Sequence, residues 1–295
     1  MGRMHRYLLH NGSVRESSEV LLAPGQVGFL NGWGVFSTLR VCDGVLFAFD
    51  RHYRRMARDA DLMHVPFEIA PDALRKLLLE LVEANQANNA TLRVAVVRNK
   101  GGLFEAPRIT RDADLVAFTA DLTNWGDGVG LTYVPNGRFG ASPFTGTKVT
   151  SWAQNLTWYE QAHQRGFDEV ILLNEHGQVS ECTSANIFAI RGDDVWTPPL
   201  GTSGCLPGVT RAILLEEIQE PGFTIAEREL SPSEVEDSDQ VFITSTTRDL
   251  LPVLSIDDVP LQQNRRSLAV LQQAFTRFRE SYVARHGKRK ESLAV

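Results

Sequence analysis

The chain has 295 residues, 43% hydrophobic and 22% charged, with a formal net charge of -6; this length accommodates two domains with separate cores, and the acidic balance excludes the basic footprint of a nucleic-acid binder. No uninterrupted apolar run reaches the length of a bilayer span, and Met1-Gly2-Arg3-Met4-His5-Arg6 is not followed by the apolar core of a signal peptide. Cys42, Cys182 and Cys205 are scattered without Cys-x-x-Cys spacing, which argues for reduced thiols and a cytoplasmic location rather than a disulfide frame or a metal site.

In chain order, Tyr7-Leu8-Leu9-His10 and Val14 flank Asn11-Gly12, a pair suited to the positive φ values of a two-residue hairpin. Asp50 stands where it can cap a helix running through Met63. Leu74, Leu77, Leu78, Leu81 and Val82 form the stripe of an amphipathic helix that buries one face. Strands follow at Leu92 to Val97 and Leu115 to Thr119. Between about Thr123 and Ala141 periodicity lapses and Gly, Pro and Asn become frequent, although Val129 to Val134 reads as a strand. This divides the chain into a smaller N-terminal α/β domain (1-125), an interdomain segment (126-140) and a larger C-terminal domain (141-285). The remainder, 286-295, is polar and unpatterned and reads as a frayed tail.

The C-terminal half carries the chemistry. Thr145-Gly146-Thr147 precedes Lys148, and a helical run follows to Arg165-Gly166. A strand from Asp168 to Asn174 turns at Glu175-His176-Gly177 into a return strand, Val179 to Ile190, which bears Glu181 and Asn186. Cys205-Leu206-Pro207-Gly208-Val209-Thr210-Arg211 then opens the helix Ala212 to Ile218. One amine, one strand carboxylate and one glycine-led helix start are the three things that pyridoxal 5'-phosphate needs. The amine holds its aldehyde as a Schiff base, and the anion keeps the pyridine nitrogen protonated so that the ring accepts electrons. Open N–H groups at the positive end of a helix dipole seat the phosphate. Taken singly, the lysine would be a solvated surface residue and Pro-Gly an ordinary turn.

The ordered series resembles the class IV (fold type IV) pyridoxal-phosphate-dependent aminotransferases, the group that includes branched-chain aminotransferase, D-amino acid aminotransferase and aminodeoxychorismate lyase. Further segments share the likeness: Gly32-Trp33-Gly34-Val35-Phe36-Ser37-Thr38-Leu39-Arg40-Val41, Phe49-Asp50-Arg51-His52-Tyr53-Arg54-Arg55-Met56, and Val241 to Arg248 followed by Leu251-Pro252-Val253. The likeness spans roughly residues 5 to 280. It implies a two-domain α/β (α+β) fold with the cofactor at the domain interface, and a homodimer. It implies Lys148 and Glu181 as catalytic, with Arg55, Lys148, Glu181, Val209, Thr210 and Thr246 holding the cofactor. Trp33, Thr38, Arg40, Arg93 and Thr247 are implied as the substrate pocket, and Asn186 as supporting structure.

The activity so implied is ping-pong transfer of an amino group between a branched-chain or other hydrophobic amino acid and a 2-oxo acid. Two departures weigh on substrate choice. Thr91 stands where the branched-chain enzymes have a tyrosine two residues before Arg93, and the tyrosine after the catalytic lysine is absent, Trp152 being the nearest aromatic and able only to donate. The alternatives are aminodeoxychorismate lyase, in which Thr38 would take part in eliminating pyruvate and Arg98-Asn99-Lys100-Gly101-Gly102 resembles a glycine-rich loop, and then D-amino acid aminotransferase. For the last, Leu103, Phe104 and Glu105 stand near the position of the expected arginine and histidine; Phe104 and Trp33 would line an apolar pocket if they face inward.

Overall fold

In the computed structural model, which describes residues 2–19, 21–102, 109–261 and 266–292, the chain divides into two units. One comprises 1–123, 147–152 and 279–295; the other comprises 124–146 and 153–278. Leu103, Phe104 and Glu105 lie outside the described residues.

The first unit is an antiparallel sheet with helices packed on it. Its elements are β1 (Met4–His10), β2 (Ser13–Glu16), α1 (Val27–Asn31), β3 (Gly34–Cys42), β4 (Val45–Leu46), α2 (Phe49–Leu62), α3 (Pro71–Ala84), β5 (Ala90–Arg98) and β6 (Ala113–Ala120). Asn11 and Gly12 take φ values of 45° and 85°, closing the β1–β2 hairpin with the twist that its strands require. The strands run in the order β2-β1-β6-β5-β3-β4. Along α3 the residues Leu74, Leu78, Leu81 and Val82 are buried and Leu77 partly so, and they share one hydrophobic cluster with Leu9 of β1, Ala117 of β6 and Val35, Leu39 and Val41 of β3. That cluster is the core of this unit.

Asp50 does not cap α2. The cap position is Ala48, in the left-handed region at φ 53° with no side-chain bond, because the chain turns sharply out of β4 into the helix. Asp50 sits in the first turn, where the helix dipole favours a carboxylate, and accepts a 2.6 Å bond from Arg75 of α3.

The second unit contains β7 (Val129–Val134), α4 (Ala153–Gln164), β8 (Glu169–Leu173), β9 (Val179–Cys182), β10 (Asn186–Arg191), β11 (Asp194–Thr197), α5 (Leu200–Ser203), α6 (Val209–Glu216), β12 (Thr224–Glu227), α7 (Pro232–Glu236), β13 (Gln240–Ser245), β14 (Asp249–Ile256), β15 (Val259–Pro260) and the start of α8 (Arg266–Ser292). Its sheet runs β12-β11-β10-β13-β14-β7-β8-β9, with β15 on β14. The single return strand expected from Val179 to Ile190 is two strands. β9 pairs with β8, whereas β10 pairs with β13 and β11. The chain changes neighbours in a tight turn closed by the Cys182 N–H donating to the Ala185 carbonyl at 2.8 Å.

Two boundaries also differ from the sequence reading. The segment Thr147–Trp152 groups with the first unit, because the exposed edge of β3 needs a partner. The Phe36 N–H donates to the Lys148 carbonyl at 3.0 Å, the Thr150 N–H donates to the Gly34 carbonyl at 2.9 Å, and Val149 bridges to Val35. At the C-terminus α8 continues to Ser292, through much of the segment read as a frayed tail. Tyr282 and His286 stack one turn apart with ring centroids at 3.9 Å, and Tyr282 packs edge-on against Phe47.

Truncating a fully buried stripe residue of α3 removes contacts that the sheet cannot replace. Leu78→Ala is expected to lower unfolding free energy by about 2–5 kcal/mol in urea titrations, against a change under about 0.5 kcal/mol for the exposed Lys76→Ala.

Candidate active site

In the first unit, pairing to the β3 edge fixes the backbone at Lys148. The buried Asp59 of α2, itself bonded by Arg58 at 2.9 Å, accepts the Lys148 backbone N–H at 3.1 Å. The side chain is thereby aimed at a surface of aromatic rings: Nζ lies 4.7 Å from the centroid of Phe36 and 6.0 Å from that of Trp152, and these two rings meet edge-on at 6.1 Å.

Alternation along β3 sorts the predicted pocket residues by face. Phe36, Thr38 and Arg40 share one face, opposite the core-facing Val35, Leu39 and Val41. Arg93 of β5 stands directly across from Thr38, and its guanidinium stacks 3.8 Å above the Phe36 ring, with burial lowering its pKa. Lys148, Phe36, Thr38, Arg40 and Arg93 are thus gathered on one side of the sheet. Trp33 is placed differently: its indole N–H donates to the Met63 carbonyl at 2.8 Å, and its ring packs against the core and carries Arg98 at 4.3 Å.

Arg55 reaches from α2 to the other face of β3, where its guanidinium donates to the Ser37 hydroxyl at 2.9 Å. Ser37 also meets His52 Nδ1 at 2.9 Å. Burial, then the neighbouring cations Arg55 and Lys148, push the His52 pKa well below its ordinary value, so the imidazole is neutral.

In the second unit, Glu181 on β9 is 6% exposed. Arg138 Nε donates to its Oε1 at 3.1 Å, and the Leu206 backbone N–H donates to its Oε2 at 3.0 Å. Arg138 is steadied in turn by the Asn155 side-chain carbonyl at 3.2 Å.

The start of α6 lies beside the same segment. Gly208 precedes it at φ -66° and ψ 141°, a conformation open to any residue; glycine is required by space, since a β-carbon there would lie 2.0 Å from the side-chain oxygen of Asn186. Asn186 also donates to the Leu206 carbonyl at 2.9 Å, tying the turn before the helix to β10. Among the described residues no side chain caps α6, so the first-turn N–H groups at Val209 and Thr210 are left for another acceptor. The Thr210 hydroxyl is buried without a partner among the described residues. Arg211, by contrast, is committed to the Pro198 carbonyl and Glu227. Thr246 and Thr247 are half-buried in the β13–β14 turn.

These features fit the proposed cofactor. A carboxylate already oriented by a cation suits a protonated ring nitrogen, and an uncapped helix start with an orphaned hydroxyl suits a phosphate. Sequence reasoning missed Arg138, Ser37, His52 and Asp59 as members of the site. Arg138 stands alone in an aperiodic stretch, and the other three lie within helix or strand patterns that mark only burial; no spacing distinguishes them.

The neutral His52 has a consequence for stability. Its folded pKa is depressed, so the unfolded chain binds the extra proton, and the associated stability is complete above the unfolded pKa and lost as pH falls below about 6.5. His52→Gln should therefore be more costly at pH 8 than at pH 5, with the gap narrowing by at most about 1.4 kcal/mol per pH unit in denaturation experiments. An equal cost at both pH values would contradict the buried neutral imidazole.

Residues 34–256 match the amino-transferase class IV family. The chain is 28% identical over 268 residues to the D-alanine aminotransferase of Bacillus licheniformis, covering 85% of this chain and 88% of that protein. It is 27% identical over 263 residues to the branched-chain-amino-acid aminotransferase of Salmonella typhimurium, covering 83% of each. The structure of the Escherichia coli branched-chain amino acid aminotransferase superposes with a TM-score of 0.83 at 22% identity, over 92% of this chain and 94% of that one, and shares the type IV fold. The chain belongs to the class IV aminotransferase family, whose members are pyridoxal-phosphate-dependent transferases.

Proposed function

We propose that this protein transfers an amino group between an amino acid with a branched-chain or other hydrophobic side chain and a 2-oxo acid, in two alternating half-reactions. The observation that carries the reading is the buried Glu181 carboxylate, fixed by Arg138 and the Leu206 N–H. A carboxylate so held raises the proton affinity of a ring nitrogen placed against it. The cofactor, when bound, supplies the electron sink for breaking the substrate Cα–H bond.

The residues of the chain do the rest. Lys148 would hold the cofactor through its amine, and the same amine would carry the proton removed from substrate Cα. Arg55, the N–H groups of Val209 and Thr210, the Thr210 hydroxyl and Thr246 bind the phosphate. Arg40, Arg93 and Thr247 receive the substrate carboxylate region, and Phe36 and Trp152, both against Lys148, favour an apolar side chain. Trp33 contributes its ring alone, its N–H being occupied.

A lyase reading rests on Thr38, which shares the sheet face of Phe36, the ring beside Lys148; it would need no 2-oxo acid acceptor and would release pyruvate from aminodeoxychorismate. We further propose a cytoplasmic homodimer. Its supports are three buried thiols, with burial pushing Cys205 up to about 11, and the exposed rings of Phe139 and Phe144.

The test is titration of the cofactor-loaded protein with L- and D-amino acids, followed through the visible absorption of the lysine-bound cofactor. Bleaching by hydrophobic donors and its reversal by a 2-oxo acid are expected. Lys148→Ala should abolish turnover, and Glu181→Gln should lower kcat by about 100-fold or more. Pyruvate release from aminodeoxychorismate without bleaching by any amino acid would replace the transferase reading with the lyase.

A further inference from the structure

The second unit holds a polar series of which the roles above use only one end, Glu181 with Arg138 and Asn155. Arg248, the last residue of the β13–β14 turn, is 5% exposed and stacks 3.8 Å above the ring of Trp125. Its guanidinium donates to the Ser184 carbonyl at 3.2 Å and stands 3.5 Å from the carboxylate of Glu169, which is fully buried at the start of β8. Glu169 also accepts from the Ser184 hydroxyl at 2.6 Å, the Val170 N–H at 3.0 Å and the Thr183 hydroxyl. From there the Thr183 carbonyl accepts from the Asn155 amide at 3.1 Å, Asn155 accepts from Arg138, and Arg138 donates to Glu181.

The series therefore starts at the turn bearing Thr246 and ends at Glu181. A buried ion pair adds little net stability, because desolvation offsets the attraction; its better-attested use is to select one arrangement of the groups around it. Here the groups so arranged are two turns, Thr183–Ala185 and Thr246–Arg248, that the sheet ladder alone would leave to loop flexibility. Each turn adjoins one end of the proposed cofactor seat.

We propose that Arg248 and Glu169 are positioning residues that hold the Thr246–Thr247 turn in register with Glu181, so that a phosphate-bearing pyridine ring meets both ends of its seat together. The inference rests on the cofactor reading of Glu181 and Thr246. Neither residue touches the ligand. Their effect is on the spacing of those that do, and a shift of about 0.5 Å in such a site is consequential.

The experiment compares binding of pyridoxal 5'-phosphate and of pyridoxal, which lacks the phosphate, to wild type, to the double variant Glu169→Gln/Arg248→Met, and to Arg248→Lys. The double variant removes both charges, so that no lone buried charge is left behind. The expected result is a rise of about tenfold or more in Kd for pyridoxal phosphate, the scale of losing partners that orient a ligand's contacts, with a smaller change for pyridoxal. The unfolding temperature of the cofactor-free protein should stay near that of wild type. Arg248→Lys, which keeps the charge but not the planar fork, should fall between wild type and the double variant, and its own comparison of the two ligands decides the question should the double variant not fold. Equal weakening of both ligands, or a fall in unfolding temperature with no change in Kd, overturns the proposal while leaving the cofactor reading intact. Wild-type protein that binds neither ligand overturns the cofactor reading and this proposal with it.

Discussion

A carboxylate removed from water must be met by a cation or by hydrogen-bond donors, and the second unit is arranged around meeting that demand at Glu181. Arg138 arrives from the stretch after β7, and the Leu206 N–H arrives from the turn before α6. Satisfying the carboxylate thus brings together the end of one strand, the middle of another and the start of a helix. The requirement propagates, because Arg138 needs Asn155 and Asn155 holds the turn after Glu181. The electrostatic demand of one side chain accounts for the proximity of segments up to 68 residues apart, from Arg138 to Leu206.

In the first unit the organising demand is that of a strand edge. β3 is paired with β5 along its length but with β4 only at its far end, so the backbone groups near Gly34 and Phe36 need another partner. The segment around Lys148 supplies it. A lysine on a loop would sample many positions at little cost; a lysine on a paired edge, with its N–H bonded to the buried Asp59, is confined to one. The aromatic surface of Phe36 and Trp152 then decides the environment that its amine meets.

Much of the local structure was legible from periodicity and turn chemistry. The Asn11-Gly12 hairpin, the α3 stripe from Leu74 to Val82 and β7 at Val129–Val134 follow from local pattern, where one residue's preference agrees with its neighbours. Less legible were features set by distant partners. The break of the 179–190 strand is invisible in its apolar run, because what interrupts it is a change of neighbouring strand and the pull of Glu169 on Thr183 and Ser184. The cap of α2 falls on Ala48 rather than Asp50 because of the path out of β4, which no capping preference encodes.

By itself, the sequence determined the family: residue types in a fixed order, from Gly34 through Lys148 and Glu181 to Thr246, are properties of the chain that survive without coordinates. It also determined local elements such as the Asn11-Gly12 hairpin, the α3 stripe and β7, since hydrophobic period and turn chemistry are local quantities. Only the tertiary structure decided which groups satisfy the buried charges: Arg138 for Glu181, Ser37 between Arg55 and His52, Arg248 for Glu169. It also decided that Trp33 spends its indole N–H on Met63, whereas Arg93 lies over Phe36. The physical reason is that a polar partner is chosen by distance in space, and separation along the chain carries no information about it.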